Sequence, residues 1–350
     1  MAGPATFRSL RVSEIRPETD DSVVVTLDVP DDLAAEFAFR PGQHLTVRRG
    51  TGEAELRRSY SICSPSGGPL RIGVRHLPDG RVSGWINREL RAGDHLDVLP
   101  PAGSFVVDDS DAPRHHVAVA AGSGITPVSG IVASVLADEP GSMVTLLTIN
   151  RSASSAMLLE ELQALKDRWP DRLRLLFALT REQTEIELLS GRPDRDRLAE
   201  LVSAGLLPAD ADRYWLCGPE ELIGEVTDVL ADHGVPGERI RRELFGTTVA
   251  TSRRPDAGVD AEATVTLGGR TTVVPVRTGE ALLDAVRRQR PEVPFSCTAG
   301  VCATCRAHLV DGTVDPGTVH GLRDEEIEQG FVLTCQARPT SSAVTVDYDA

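Results

Sequence analysis

The sequence predicts a multidomain chain of three modules: an antiparallel β-barrel over residues 1–108, an α/β domain on a parallel sheet over 112–250, and a small α+β domain over 263–350 behind a linker at 251–262. Three observations carry this reading. At 350 residues the chain is longer than a single core usually organises. Near residue 112 its periodicity changes from short alternating strands to buried strands separated by helical stretches. Four of its six cysteines fall between positions 297 and 335, which marks a site with its own small scaffold.

The barrel rests on strand patterns at Ser22–Asp28, His44–Arg48 and Leu70–Arg75, separated by Pro/Gly turns. Two stretches stand out from it. In Arg57-Arg58-Ser59-Tyr60-Ser61, strand alternation puts Arg58 and Tyr60 on one face, where a guanidinium and a phenol can hold a pyrophosphate and a planar ring. Gly80-Arg-Val82-Ser83-Gly84 reads as a turn into a short helix capped by Ser83, a ready phosphate site. Taken singly, Tyr60 also fits an ordinary barrel position and Gly80 to Ser83 a plain hairpin turn.

The middle module follows from buried strands at His116–Ala121, Met143–Ile149, Leu173–Leu179 and Tyr214–Cys217. The first runs into Gly122-Ser-Gly124-Ile-Thr126-Pro127, where glycines allow the backbone to approach a pyrophosphate at a helix N-terminus. Arginines stand at two strand ends, Arg151 and Arg181, and no acid occupies the Asn150-Arg151 end in sequence; guanidiniums so placed suit a phosphate group. Cys217-Gly218-Pro219 follows the last strand, where Cys217 also fits a plain core position.

In the last module a hairpin signal at Thr264–Val274 turns on Gly268-Gly269, and a helix over Ala281–Arg287 stops before Pro291. Cys297-x4-Cys302-x2-Cys305 and the distant Cys335 have the spacing of a plant-type [2Fe–2S] centre, with Gly300 inside the tight loop. Structural zinc draws more often on two short Cys-x2-Cys pairs. A cluster of this type moves single electrons, so the other modules should hold their source.

Net charge is −15, which argues against nucleic-acid or anionic-membrane surfaces. No apolar run approaches the ~20 residues of a membrane span, and no secretory signal is seen at the N-terminus. A cytoplasmic location is the expectation. Acidic residues outnumber basic ones by 12 to 8 over 261–350, clustered at Asp324-Glu325-Glu326-x-Glu328, either a docking face for a basic partner or a solvated helix. No Glu-x-x-His pairs suit a di-iron site, so oxygen chemistry must lie on another protein.

Together, Arg58-Ser-Tyr60-Ser61, the preceding Phe39-x-Pro41-Gly42-Gln43, Gly122-x-Gly124-Ile-Thr126-Pro127 and Cys217-Gly218 resemble the ferredoxin–NADP reductase superfamily. The last module resembles the β-grasp of plant-type ferredoxins. The resemblance implies FAD held by Arg58, Ser59, Tyr60, Ser61, Val74, Arg75, Gly80, Val82 and Ser83. It implies a nicotinamide site at Gly122, Gly124, Thr126, Pro127, Arg151, Arg181, Cys217, Gly218 and Pro219, with the two arginines where the family holds the adenosine ribose, so that NADPH is expected over NADH, and iron on Cys297, Cys302, Cys305 and Cys335. Tyr60, Ser61, Cys217, Glu243 and Phe245 would stand beside the reacting rings. The activity implied is electron transfer from NAD(P)H through FAD and the cluster to a multi-subunit oxygenase. Thr180-Arg-Glu-Gln-Thr-Glu185 and the tail to Asp349 most resemble the reductase components of phenylacetyl-CoA epoxidases. Reductases of Rieske-type ring-hydroxylating or 3-ketosteroid 9α-hydroxylase systems share the domain order, and a non-catalytic redox sensor is the alternative of another class.

Overall fold

The computed structural model describes residues 6–51, 55–108, 110, 112–245 and 258–350. The first module contains β1 (Arg8–Thr19), β2 (Ser22–Asp28), β3 (His44–Arg49), β4 (Leu56–Ser61), β5 (Leu70–Arg75), α1 (Arg81–Arg88) and β6 (His95–Val98). These strands pair antiparallel in the order β4-β3-β6-β1-β2-β5, and a bridge between Ile62 and Ile72 joins the two ends into a barrel. Closure removes the open edges that a six-stranded sheet would otherwise expose. Its interior is filled from alternate positions, among them Leu10, Val25, Leu45, Val47, Ile72 and Leu96.

The second module alternates β7 (His115–Ala121), α2 (Ile125–Asp138), β8 (Met143–Asn150), α3 (Leu159–Arg168), β9 (Leu173–Leu179), α4 (Arg195–Ser203), β10 (Arg213–Pro219), α5 (Glu220–Asp232) and β11 (Ile240–Phe245). All pairs are parallel, in the order β11-β10-β7-β8-β9. Strand order reverses between β7 and β10, and a crevice outside the carboxyl ends of such a pair is where open α/β sheets bind ligands. Helices cover both faces, so the strands are near-continuous apolar runs rather than alternating ones.

The third module is β12 (Ala261–Leu267), β13 (Arg270–Val276), α6 (Leu282–Gln289), β14 (Arg306–Asp311), β15 (Val314–Asp315), α7 (Asp324–Glu328), β16 (Phe331–Leu333), β17 (Arg338–Pro339) and β18 (Ala343–Asp347). Its main sheet runs β13-β12-β18-β14-β16, with β12 and β18 parallel and the other pairs antiparallel. Gly268 and Gly269 both take positive φ, +61° and +69°, as a two-residue hairpin turn requires. The antiparallel barrel, the parallel-sheet domain and the C-terminal sheet with its helix are the architecture expected.

Two expectations meet the structure only in part. The linker expected at 251–262 lies mostly outside the described residues, and β12 already begins at Ala261. The acidic run 324–328 is a single helical turn whose central Glu326 is buried, reached by Arg306 and Arg323 at 3.4 and 3.5 Å, so it offers fewer free charges than its sequence suggests. Among the described residues no helix is long and apolar enough to cross a membrane.

Candidate functional site

A cleft of about 840 Å³ opens where the three modules meet. The barrel contributes Arg58, Ser59, Tyr60, Ser61 and Arg75, together with the Gly80–Ser83 end of α1. From the parallel sheet come Gly122, Thr126, Arg151, Thr180, Pro219, Glu243 and Phe245, while the cysteine loop adds Cys297, Val301 and Cys302. Its size is in the range of a large cofactor site. Small residues keep it open: a Cβ on Gly73 would run into Thr126, and Gly122 has φ +56° with the Arg75 guanidinium beside it. These features fit a flavin dinucleotide, with α1 offering amides to its pyrophosphate.

Ser83 is not the cap of that helix. Gly80 occupies the cap position, and Ser83 sits inside the first turn, its Oγ accepting from the Leu77 amide at 3.2 Å and donating to the Gly80 carbonyl at 3.4 Å. It closes the turn that aims the amides.

Several expected nucleotide contacts stand off the cleft wall. A Cβ on Gly124 would strike the Cys217 carbonyl, so this glycine lets α2 pack against β10. Gly218 does the same against Ala121, Pro127 is buried in the first turn of α2, and Val74 belongs to the barrel core. Arg181 donates its amide to the Arg151 carbonyl at 2.8 Å, but its side chain does not line the cleft, whereas Arg192 does. An acid also reaches the Asn150-Arg151 end, contrary to expectation: Asp21, from the turn between β1 and β2, pairs with Arg151 at 3.0 Å and with Arg75 at 3.1 Å. Sequence reading missed it because Asp21 lies 130 positions away.

Cys217 is fully buried beside Trp215, and desolvation holds its thiol well above the ordinary range. Glu243, its register partner on β11, lines the cleft and accepts a hydrogen bond from Ser61 at 3.3 Å. Desolvation there pushes the Glu243 carboxyl up to about 8 from 4.5, so at neutral pH this group holds a proton inside the cleft. A folded-state value above the unfolded one means that the folded chain binds the extra proton between the two, and stability falls as pH rises through that window. Glu243→Gln is expected to flatten this slope in urea denaturation of the apoprotein between about pH 4.5 and about pH 8. An unchanged slope would assign the titration to another group.

The cysteine loop is built on unusual backbone. Thr298, Gly300 and Ala303 all have positive φ, +55°, +76° and +53°, and a Cβ on Gly300 would meet the Thr318 carbonyl. Such conformations cost free energy at non-glycine residues and persist where the surroundings enforce them. Here they turn amides inward: the Cys302 side chain, and after it the amides of Ala299, Val301 and Cys302, lower the Cys297 thiol, while the Cys305 side chain, and after it the Gly300 amide, lower Cys335. The four thiols act on one another's protonation chiefly as two pairs, Cys297 with Cys302 and Cys305 with Cys335. Among the described residues no three His, Cys, Asp or Glu side chains group around one metal ion. Two thiolate pairs with converging amides suit two irons, each held by one pair, better than a single tetrahedral ion. Beneath them, the Tyr348 hydroxyl donates to Thr334 Oγ1 at 2.8 Å, and Thr334 donates to the Cys305 carbonyl at 2.9 Å, tying two ligand segments to the C-terminal strand.

The comparisons agree with this geometry. Residues 9–107 match the oxidoreductase FAD-binding domain, 118–228 the oxidoreductase NAD-binding domain, and 265–340 the 2Fe-2S iron-sulfur cluster binding domain. The chain is 37% identical to one of the subunits of the 1,2-phenylacetyl-CoA epoxidase of Escherichia coli (strain K12), over 99% of this chain and 98% of that protein. It is 34% identical to the ferredoxin reductase component of 3-ketosteroid-9-alpha-monooxygenase of Mycobacterium tuberculosis (strain ATCC 25618 / H37Rv), over 97% and 95% of the two chains. The solved structure of phthalate dioxygenase reductase shares the fold, with a TM-score of 0.61 over 97% of this chain and 98% of that one at 23% identity. With three cofactor-binding modules in this order and full-length relatives at this identity, the chain belongs to the family of NAD(P)H-dependent flavin iron–sulfur reductases that deliver electrons to oxygenase components.

Proposed function

We propose that this reductase draws on NADPH and supplies a phenylacetyl-CoA epoxidase, and that Arg58, Tyr60 and the amides at Gly80–Ser83 hold FAD. The observation that carries the acceptor is the 37% identity to a component of the Escherichia coli epoxidase along 99% of the chain. When bound, FAD takes a hydride and the cluster takes single electrons, which converts a two-electron donor into a one-electron supply. The chain's own residues arrange the meeting. Gly122 and Thr126 open the sheet's switch point to the nicotinamide nucleotide, Glu243 keeps a proton beside Ser61 at the inner end of the cleft, and buried Cys217 closes the floor behind it. Cys297 and Cys302 line the same cleft, so the iron site and the flavin site share a wall. The NADPH reading is supported by Arg151 and Arg192 on the cleft wall around Thr180, with Arg181 next in the chain. Cys63 and Cys217, the two cysteines outside the iron site, are buried and not disulfide-bonded, which suits a reducing cytoplasm.

The test is reconstitution. The loaded reductase, mixed with the epoxidase complex, phenylacetyl-CoA and oxygen, is expected to form epoxide with NADPH and much less with NADH. Product from a Rieske-type or 3-ketosteroid oxygenase alone would move the acceptor assignment there. Equal rates with both nucleotides would remove the role given to the arginines, and failure to reduce cytochrome c at all would favour a sensor.

A further inference from the structure

The barrel and the cluster-bearing module meet chiefly along β4. Along β4, Arg58, Ser59, Tyr60 and Ser61 line the cleft, whereas Arg57 lies off it, and Arg57 and Ser59 reach the third module. The Ser59 hydroxyl donates to Ser296 Oγ at 2.9 Å, one residue before the ligand Cys297. Arg57 is 7% exposed, which is unusual for a guanidinium on a barrel, and most of its partners lie outside the barrel sheet. Its Cζ lies over the Phe295 ring, 3.9 Å from the centroid, its Nη1 donates to the Val293 carbonyl at 3.4 Å, and its Nε donates to Glu55 at 2.8 Å. The Phe7 ring stands 4.9 Å away.

Arg287, on α6 of the third module, lies over the same Phe295 ring at 3.9 Å. Two cations at one ring repel, and the Glu55 carboxylate beside Arg57 offsets that repulsion from the barrel side. Phe295 is thus gripped from both modules, two residues before the first ligand of the iron site. Other contacts across this seam are weaker: His44 Nε2 to Thr304 Oγ1 at 3.4 Å, and the Ser104 hydroxyl to the Gly321 carbonyl at 3.3 Å. Neither is ionic or stacked.

We infer that Arg57 is a positioning residue for transfer between the two redox sites: stacked on Phe295 and anchored by Glu55, it holds the Cys297–Cys302 side of the loop against the flavin cleft. The inference rests on the reductase reading and adds to it the device that fixes the separation of donor and acceptor. Reactions of this kind depend steeply on placement. A guanidinium is suited to the task because it keeps its charge when buried and stacks flat on a ring, which an ammonium does not.

The test uses the full loaded protein carrying Arg57→Ala or Arg57→Lys. Ferricyanide, which takes electrons from the flavin, reports the first half of the path; cytochrome c reports passage through the cluster. Arg57→Ala is expected to leave NADPH-driven ferricyanide reduction unchanged and to slow cytochrome c reduction by roughly tenfold or more. Hydrogen exchange of the amides at 293–297 should become faster at the same time, with flavin and iron content unaltered. Arg57→Lys, which keeps the ion pair but not the flat stacking, should fall between the two. Wild-type rates with both acceptors, or an equal fall in both, would overturn the inference, as would slowed transfer with unchanged protection at 293–297. Failure of the unaltered protein to reduce ferricyanide would instead overturn the reductase reading itself.

Discussion

Cys302→Ser is expected to strip the protein of iron and of visible cluster absorbance while flavin stays bound. Serine offers a harder, far less acidic oxygen in place of a soft thiolate, and one pair of the two-and-two ligand set is broken. The flavin cleft is built chiefly on β4, α1 and the sheet ends, which do not depend on the ligand. Ferricyanide reduction should therefore continue and cytochrome c reduction should drop to background. Loss of both cofactors together would mean that the cysteine loop, which lines the cleft at Cys297 and Val301, is needed to shape the flavin site.

The second large effect is at Gly124. Gly124→Val is expected to destabilise the chain by about 1–3 kcal/mol, the usual cost of overpacking, because the new side chain meets the Cys217 carbonyl and the Gly218 amide, backbone that cannot swing away. Nicotinamide oxidation should fall as a consequence of shifting α2 against β10. Urea denaturation checks this: a variant with full stability and selectively lost nucleotide binding would return Gly124 to the ligand.

How far the sequence was legible depends on whether the cause was local. The Gly268-Gly269 turn, the cysteine spacing and the alternation of Arg58 with Tyr60 are short-range signals, and each has its structural counterpart. β1, the longest strand, was not read: Leu10 and Val12 are its only buried residues, Pro17 interrupts it, and a register shift lies between Pro17 and Thr19. Its partners β2 and β6 supply the pairing. The same holds at the site. Alternation puts Arg58 and Tyr60 together on the cleft wall, but Arg57 and Ser59 gain their partners only once Phe295 and Ser296 arrive from more than two hundred positions away. Gly124 looked like a phosphate contact because sequence gives the need for a missing side chain and not the group that fills the space.

The most direct test of the central claim, that electrons from the nicotinamide pass through the flavin to the iron centre, is anaerobic mixing of the loaded protein with NADPH. Flavin absorbance and the paramagnetic signal of the reduced cluster would be followed together. The account predicts that the flavin bleaches first, that the cluster signal then grows as electrons leave the flavin, and that Cys302→Ser shows the bleaching alone. A cluster that stays oxidised while the flavin is fully reduced, or one that is reduced before the flavin bleaches, would contradict it.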